Sequence, residues 1–126
     1  MTEQRLRVAL FGQVNSGKQE SISSQKERLR EEARKRNYVI VDEFWEEDVP
    51  EDALVDERDE LKRFMNAAWM DELHIDGIFL EDLASFGWES RTLHVSLMML
   101  FERHDIAIIT LEETYYPQDW LVGLTL

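Results

Sequence analysis

Apolar and polar positions alternate with two different periods along this chain, short in some stretches and long in others. Leu6, Val8 and Leu10 interleave with Arg7, Ala9 and Phe11, so Arg5 to Gln13 reads as a strand that is apolar on both faces. That is the pattern of a central strand in a parallel sheet. Asn15-Ser16-Gly17-Lys18 forms the loop behind it. From Ser21 to Asn37 the period lengthens. Ile22, Gln25, Leu29 and Ala33 mark one helical face, and charged residues fill the rest. Ser24 and Glu27 have capping-box spacing, with other serines nearby that can also cap. Tyr38 to Phe44 is a short β-branched strand. A helix of this length between two strands implies a right-handed crossover.

Trp45 to Asp56 reads as a loop, and Asp56 to Leu73 as a second helix capped by Asp56. Leu61, Phe64, Met65, Ala68 and Trp69 form its inward face. Asp76 to Glu81 is a third strand and Asp82 to Gly87 the loop after it. A third helix runs from Trp88 or Glu89 to His104, and Ile106 to Leu111 is a fourth strand. The order predicts an α/β fold, a small mostly parallel β-sheet covered by helices.

The third helix is apolar on more than one face. Leu93, Val95, Leu97, Met98, Met99, Leu100 and Phe101 cannot all meet one sheet. The apolar C-terminal tail, 112–126, is the expected internal cover. A second copy of the chain or another protein is the alternative, with Leu97, Met98, Met99, Phe101 and Trp120 as the candidate interaction surface.

Composition narrows this picture. A chain of 126 residues, 44% of them hydrophobic, suits one domain over 1–126 with a real core. It has no cysteine, which excludes disulfides and thiolate chemistry. Nothing in it reads as a signal peptide or a membrane span, so a cytoplasmic protein without membrane contact is expected. The net charge is −13 and is unevenly spread. Residues 1–36 carry nine Lys/Arg against five acids, and the remainder five against 22. Phosphate backbone repels such a chain unless a local basic face is presented. The acids concentrate in a loop over 42–57, which is expected to be hydrated. That loop lacks the spacing of a calcium-binding loop, and no metal is expected there.

Gly12 to Lys18 fits the phosphate-loop pattern G-x-x-x-x-G-K, which makes a nucleotide-binding domain an alternative reading. The next position is Gln19, where magnesium needs a hydroxyl. Glu81 or Asp82 would be the matching acid after the third strand. His74, His94 and His104 are not at metal-ligand spacing. Ser16 and Ser85 lie in strand-end loops without an evident base. No cofactor is expected.

Five blocks in order resemble the N-terminal catalytic domain of resolvase/invertase-type serine recombinases, from Arg5 to about Gly123. The family opens R-V-A-x-Y-x-R-V-S-T-x-x-Q, and here the stretch is RVALFGQVNSGKQ. Its S-I-x-x-Q-x-x-x-L-x-x-x-A is matched at Ser21, Ile22, Gln25, Leu29 and Ala33. NYVIVDEFWE, the run Arg58-Asp59-Glu60-Leu61, and DGIFLEDLASFGWES follow, against family patterns G-Y-x-I-V-x-E-F-x-D, R-P-x-L and D-G-I-x-V-x-x-L-D-R-L-x-R-S.

The resemblance implies a resolvase-like sheet fold and phosphoryl transfer by an attacking serine, with arginines neutralising charge in the transition state. The departures fall on those positions. Asn15 stands where the serine belongs and Gln13 where an arginine belongs. The D-R-L-x-R cluster reads Ala84-Ser85-Phe86-Gly87-Trp88. Gln19, Arg58 and Glu46 (the family has Asp) are the counterparts that remain. Ser16 is one residue off and is expected to point elsewhere. The chain also stops near the start of the family's long dimerisation helix, so no DNA-binding domain is expected. The sequence therefore suggests a resolvase-like domain that has lost strand exchange and serves as a protein-interaction or regulatory module, through an unknown partner or self-association. Direct DNA contact is expected to be weak or absent. A residual DNA-binding accessory that uses the basic first helix is a further alternative.

Overall fold

In the computed structural model, residues 5–50, 53–86 and 91–117 are described. They form five strands and three helices of an α/β fold. Strand β1 (Arg7–Val14) is followed by helix α1 (Ile22–Lys35) and strand β2 (Val39–Glu47). Helix α2 (Asp59–Trp69), strand β3 (Gly77–Phe79), helix α3 (Arg91–His104), strand β4 (Ala107–Ile109) and strand β5 (Thr114–Tyr115) complete the order. The sheet order is β2-β1-β3-β4-β5. All neighbours are parallel except β4 and β5. This is a doubly wound arrangement whose order reverses at β1, between β2 and β3. In such sheets ligands bind outside the carboxyl ends of the strands beside that point.

Strand alternation divides the core into two layers. Ala9, Phe11, Phe44, Ile78 and Ile108 face α2 and α3, where they meet Leu61, Phe64, Leu97, Leu100 and Phe101. Val8, Leu10, Phe79 and Ile109 face α1, where they meet Leu29 and Ala33. Phe64 makes edge contacts with Phe11 and Phe44, at ring centroid distances of 6.4 and 5.3 Å, and reaches Phe101 at 6.1 Å.

The structure corrects several expectations. Of the serines that could cap α1, Ser21 is the one that does, its hydroxyl accepting from the Ser24 N–H at 3.1 Å. Asp56 lies in a 3-10 turn (Val55–Glu57), and α2 begins at Asp59 with no side-chain cap. Strand β2 continues to Glu47, so the acidic stretch 42–57 begins as strand, paired along β1 as far as Val14↔Glu47. Part of the expected tail is β5, an antiparallel edge strand.

Leu97, Met98 and Phe101 are not an interaction surface on this chain, because they are buried in the core. Helix α2 covers the second face of α3, which leaves Met99 and Val95 exposed. Trp120 lies outside the described residues.

All three helices end alike. Asn37, Asp71 and Asp105 take left-handed φ of 61, 55 and 52°. In each case the next residue's N–H reaches back to the last turn, as in Tyr38 to Ala33 at 3.0 Å. A short polar side chain tolerates this conformation where glycine is absent.

Candidate active site at the carboxyl end of the sheet

Strand β1 extends through Val14, so Gly12 and Gln13 are strand residues rather than the start of a loop. Trp45 lies over Gly12, and a Cβ there would come within 2.7 Å of the ring. The loop proper, 15–21, is fastened from inside by Gln25, a buried residue of α1. Its carboxamide oxygen accepts from the Asn15 N–H at 3.1 Å. Its Nε2 donates to the carbonyls of Asn15 and Glu20 at 2.9 and 3.1 Å.

From the other side, Asp48 accepts from the Ser16 N–H and hydroxyl at 2.7 and 3.1 Å. The Asp48 N–H donates to Val14 at 2.9 Å, with φ at 54°. A phosphate loop needs free N–H groups turned inward and a helix starting at its lysine. Here the Gln25 carboxamide occupies that interior, and α1 starts at Ile22. The geometry does not support the nucleotide-binding reading.

The strand register places Gln13 directly beside Glu46, on the face that carries Phe11 and Phe44. Gln13 Nε2 donates to Glu46 Oε1 at 3.3 Å. Arg58, just before α2, grips the same carboxylate with two nitrogens. Its Nε lies 3.0 Å from Oε2 and its terminal nitrogen 2.6 Å from Oε1. The Glu46 and Arg58 side chains are 1% and 6% exposed, so the pair is desolvated and its partners are fixed.

Of the positions singled out in the sequence, Gln13, Glu46 and Arg58 therefore converge, and Asn15 and Ser16 stand on the adjoining loop. Gln19 is exposed on that loop. Ala84 is exposed in a second 3-10 turn (Leu83–Phe86) that follows β3 and packs near β1. The side chain of Ser85 and all of Trp88 lie outside the described residues. Two residues that organise the site went unremarked as site residues. Gln25 gave a signal, an amide on an apolar helical stripe. Asp48 gave none within its acidic run.

Charge around the site is internally matched. Arg28 reaches from α1 to Glu81 after β3 at 2.7 Å and also pairs with Glu20. The hydrogen bonds it donates to Glu81 chiefly hold its guanidinium protonated, above the usual arginine value. Lys26 pairs with Glu47, Arg30 with Glu43 and Arg34 with Glu27. The hydrogen bond from Arg34 pulls the Glu27 carboxyl below its ordinary value. Each arginine of α1 is thus in an ion pair.

Beyond β3 and β4 lies an open cavity of about 370 Å³ lined by Glu81, Asp82, Leu83, Thr110, Leu111, Glu112 and Tyr115. Its carboxylates repel a phosphodiester. Among the described residues no group of three His, Asp or Glu is placed to hold a metal, and no helix is long and apolar enough to cross a membrane.

A doubly wound sheet with a loop site at the end of β1 defines the class. The resolvase N-terminal domain family matches residues 11–122, and the chain belongs to that family, as a serine-recombinase-type domain. Two solved structures share the fold. The N-terminal catalytic domain of TP901-1 integrase is 22% identical with a TM-score of 0.64, over 94% of this chain and 87% of that one. A resolvase family site-specific recombinase from Streptococcus pneumoniae is 18% identical with a TM-score of 0.66, over 95% and 83%. No curated protein matches the chain.

Proposed function

We propose that this resolvase-family domain does not perform strand exchange and acts as a protein-interaction or regulatory module. The observation that carries the reading is Asn15 at the end of β1, where the family resemblance calls for the attacking serine. A carboxamide has no hydroxyl to deprotonate and forms no phosphoester with DNA. The neighbouring hydroxyl, Ser16, donates to Asp48 on a loop that Gln25 fastens from the other side. The arginines of α1 all stand among the chain's own carboxylates, which offset the basic field that the DNA-accessory reading needs.

The test is incubation with duplex DNA carrying candidate crossover sites, followed by denaturing electrophoresis. No covalent protein–DNA adduct is expected. An adduct that disappears on Ser16→Ala would end the proposal. Binding to DNA that persists at about 0.2 M salt would instead favour the accessory role.

A further inference from the structure

We propose that Asp42 and Arg63 form a clasp that closes the outer edge of strand β2 to strand addition by a second copy of the chain. This goes beyond the reading above and does not rest on it. The strand order leaves β2 and β5 at the two edges of the sheet. Strand β5 has two residues and is too short to template another strand. Strand β2 has nine, VIVDEFWEE, rich in β-branched and aromatic residues and without proline or lysine. Such an edge offers alternating donors and acceptors, and a second copy turned antiparallel offers their complement. Like charge is a weak guard here, because Glu43 and Glu47 are already paired with Arg30 and Lys26.

The path of the backbone puts the clasp at the centre of that edge. At the start of β2 the Val39 N–H bonds inward, to Leu6 at 2.8 Å. The ladder then shifts, with Val8 beside Ile40 and Ala9 beside Asp42, so Val41 is an extra residue that bulges the strand. Beyond the bulge the Asp48 N–H bonds inward, to Val14 at 2.9 Å. By alternation Glu43, Trp45 and Glu47 turn their N–H and C=O groups outward.

Glu43 is the middle residue of the strand. Its N–H donates to Asp42 Oδ1 at 2.7 Å, and its carbonyl accepts from one terminal nitrogen of Arg63 at 2.7 Å. The other terminal nitrogen reaches Asp42 Oδ2 at 3.3 Å and ties the two halves together. Arg63 is itself held on α2. Its Nε donates to Glu60 at 3.0 Å, and its guanidinium lies 4.1 Å from the Phe44 ring centroid. An incoming strand needs the donor and the acceptor of Glu43 and finds both occupied.

The test is the double variant Asp42→Ala/Arg63→Met. It removes both halves of the clasp, keeps the net charge and leaves an apolar stem of similar length over Phe44. Sedimentation is run from micromolar to millimolar concentration, with amide exchange read residue by residue. The variant is expected to double in mass relative to the wild type as concentration rises. Exchange at Glu43, Trp45 and Glu47 is expected to slow in step, while exchange in β3 stays unchanged. In the wild type, exchange at Trp45 and Glu47 is expected to be independent of concentration. Should the double variant not fold, Arg63→Met alone is measured, and a smaller shift of the same kind is expected.

A folded variant that keeps the wild-type mass across the range overturns the proposal. Association that leaves exchange along β2 unchanged overturns it too, because the new contact then lies elsewhere. So does a wild-type edge whose exchange already slows with concentration. A DNA adduct would overturn the inactive-domain reading and leave the clasp standing.

Discussion

Strand β2 carries two glutamate–arginine pairs three residues apart, and they behave as different chemical objects. Glu43 faces α1 and meets Arg30 at 2.7 Å, with side chains 27% and 28% exposed. Glu46 faces α2 and meets Arg58 at 2.6 Å, with side chains 1% and 6% exposed. Distance does not separate them; strand alternation does. Odd and even positions of β2 look toward opposite layers, and the layer beneath Glu46 is the aromatic one, with Phe11, Phe44 and Phe64. Burial turns one pair into a structural commitment. The other stays a solvated contact, supported by the Trp45 indole N–H on Glu43 at 2.8 Å.

The largest effect expected from this contrast is at Arg58. Arg58→Leu leaves the Glu46 carboxylate buried without a cation, which costs about 3–5 kcal/mol. Chemical denaturation checks it, and the double variant Arg58→Leu/Glu46→Leu is expected to recover most of the loss. The same cycle on Arg30 and Glu43 is expected to give a coupling of about 1 kcal/mol or less. Equal couplings would erase the distinction between the two pairs.

The next effect is at Gln25, which does for the β1–α1 loop what Arg58 does for the end of β2. Gln25→Ala leaves the Asn15 N–H and the Asn15 and Glu20 carbonyls without their partner. The unsatisfied groups cost about 1–3 kcal/mol, less where water enters the opened loop. Hydrogen exchange at the Asn15 amide is expected to accelerate more than exchange in β3. Uniform acceleration would mean that the loop is part of the global fold rather than a locally fastened segment.

Much of this architecture could be read from residue order. The alternation through Val8 to Phe11 marked a central strand, and the Leu29–Ala33 stripe marked the helix that covers it. Boundaries were lost where side chains and backbone disagreed. Glu46 and Glu47 look like loop residues, yet their backbone continues the ladder with Gln13 and Val14. Thr114–Tyr115 is too short to signal a strand and exists because β4 offers an edge. The site was half legible. Gln13, Asn15, Glu46 and Arg58 could be placed from the family pattern. That Glu46 and Arg58 neutralise each other depends on register and burial, which spacing does not reveal. The apolar run of α3 misled for a related reason. Periodicity shows how many faces are apolar, whereas only packing shows that α2 covers the second.

The smallest effect, and the one that sharpens the comparison most, is the pH response of the solvated pair. Burial pushes the Glu43 carboxyl up, and the hydrogen bonds from Arg30 and Trp45 outweigh it, leaving the group below its ordinary 4.5. A carboxyl whose folded value is depressed contributes stability that is fully present above the unfolded value and lost as pH falls through the folded one. Glu43→Gln is therefore expected to cost up to about 1 kcal/mol near neutral pH. The difference from wild type should shrink as pH drops below 4.5 and also in about 1 M salt, where the Debye length is about 3 Å. Urea titrations across that range measure it. A difference that stayed constant through the acid limb would mean that Glu43 acts through its packing against Trp45, not its charge. The two pairs on β2 would then be alike in geometry and different for a reason other than solvent.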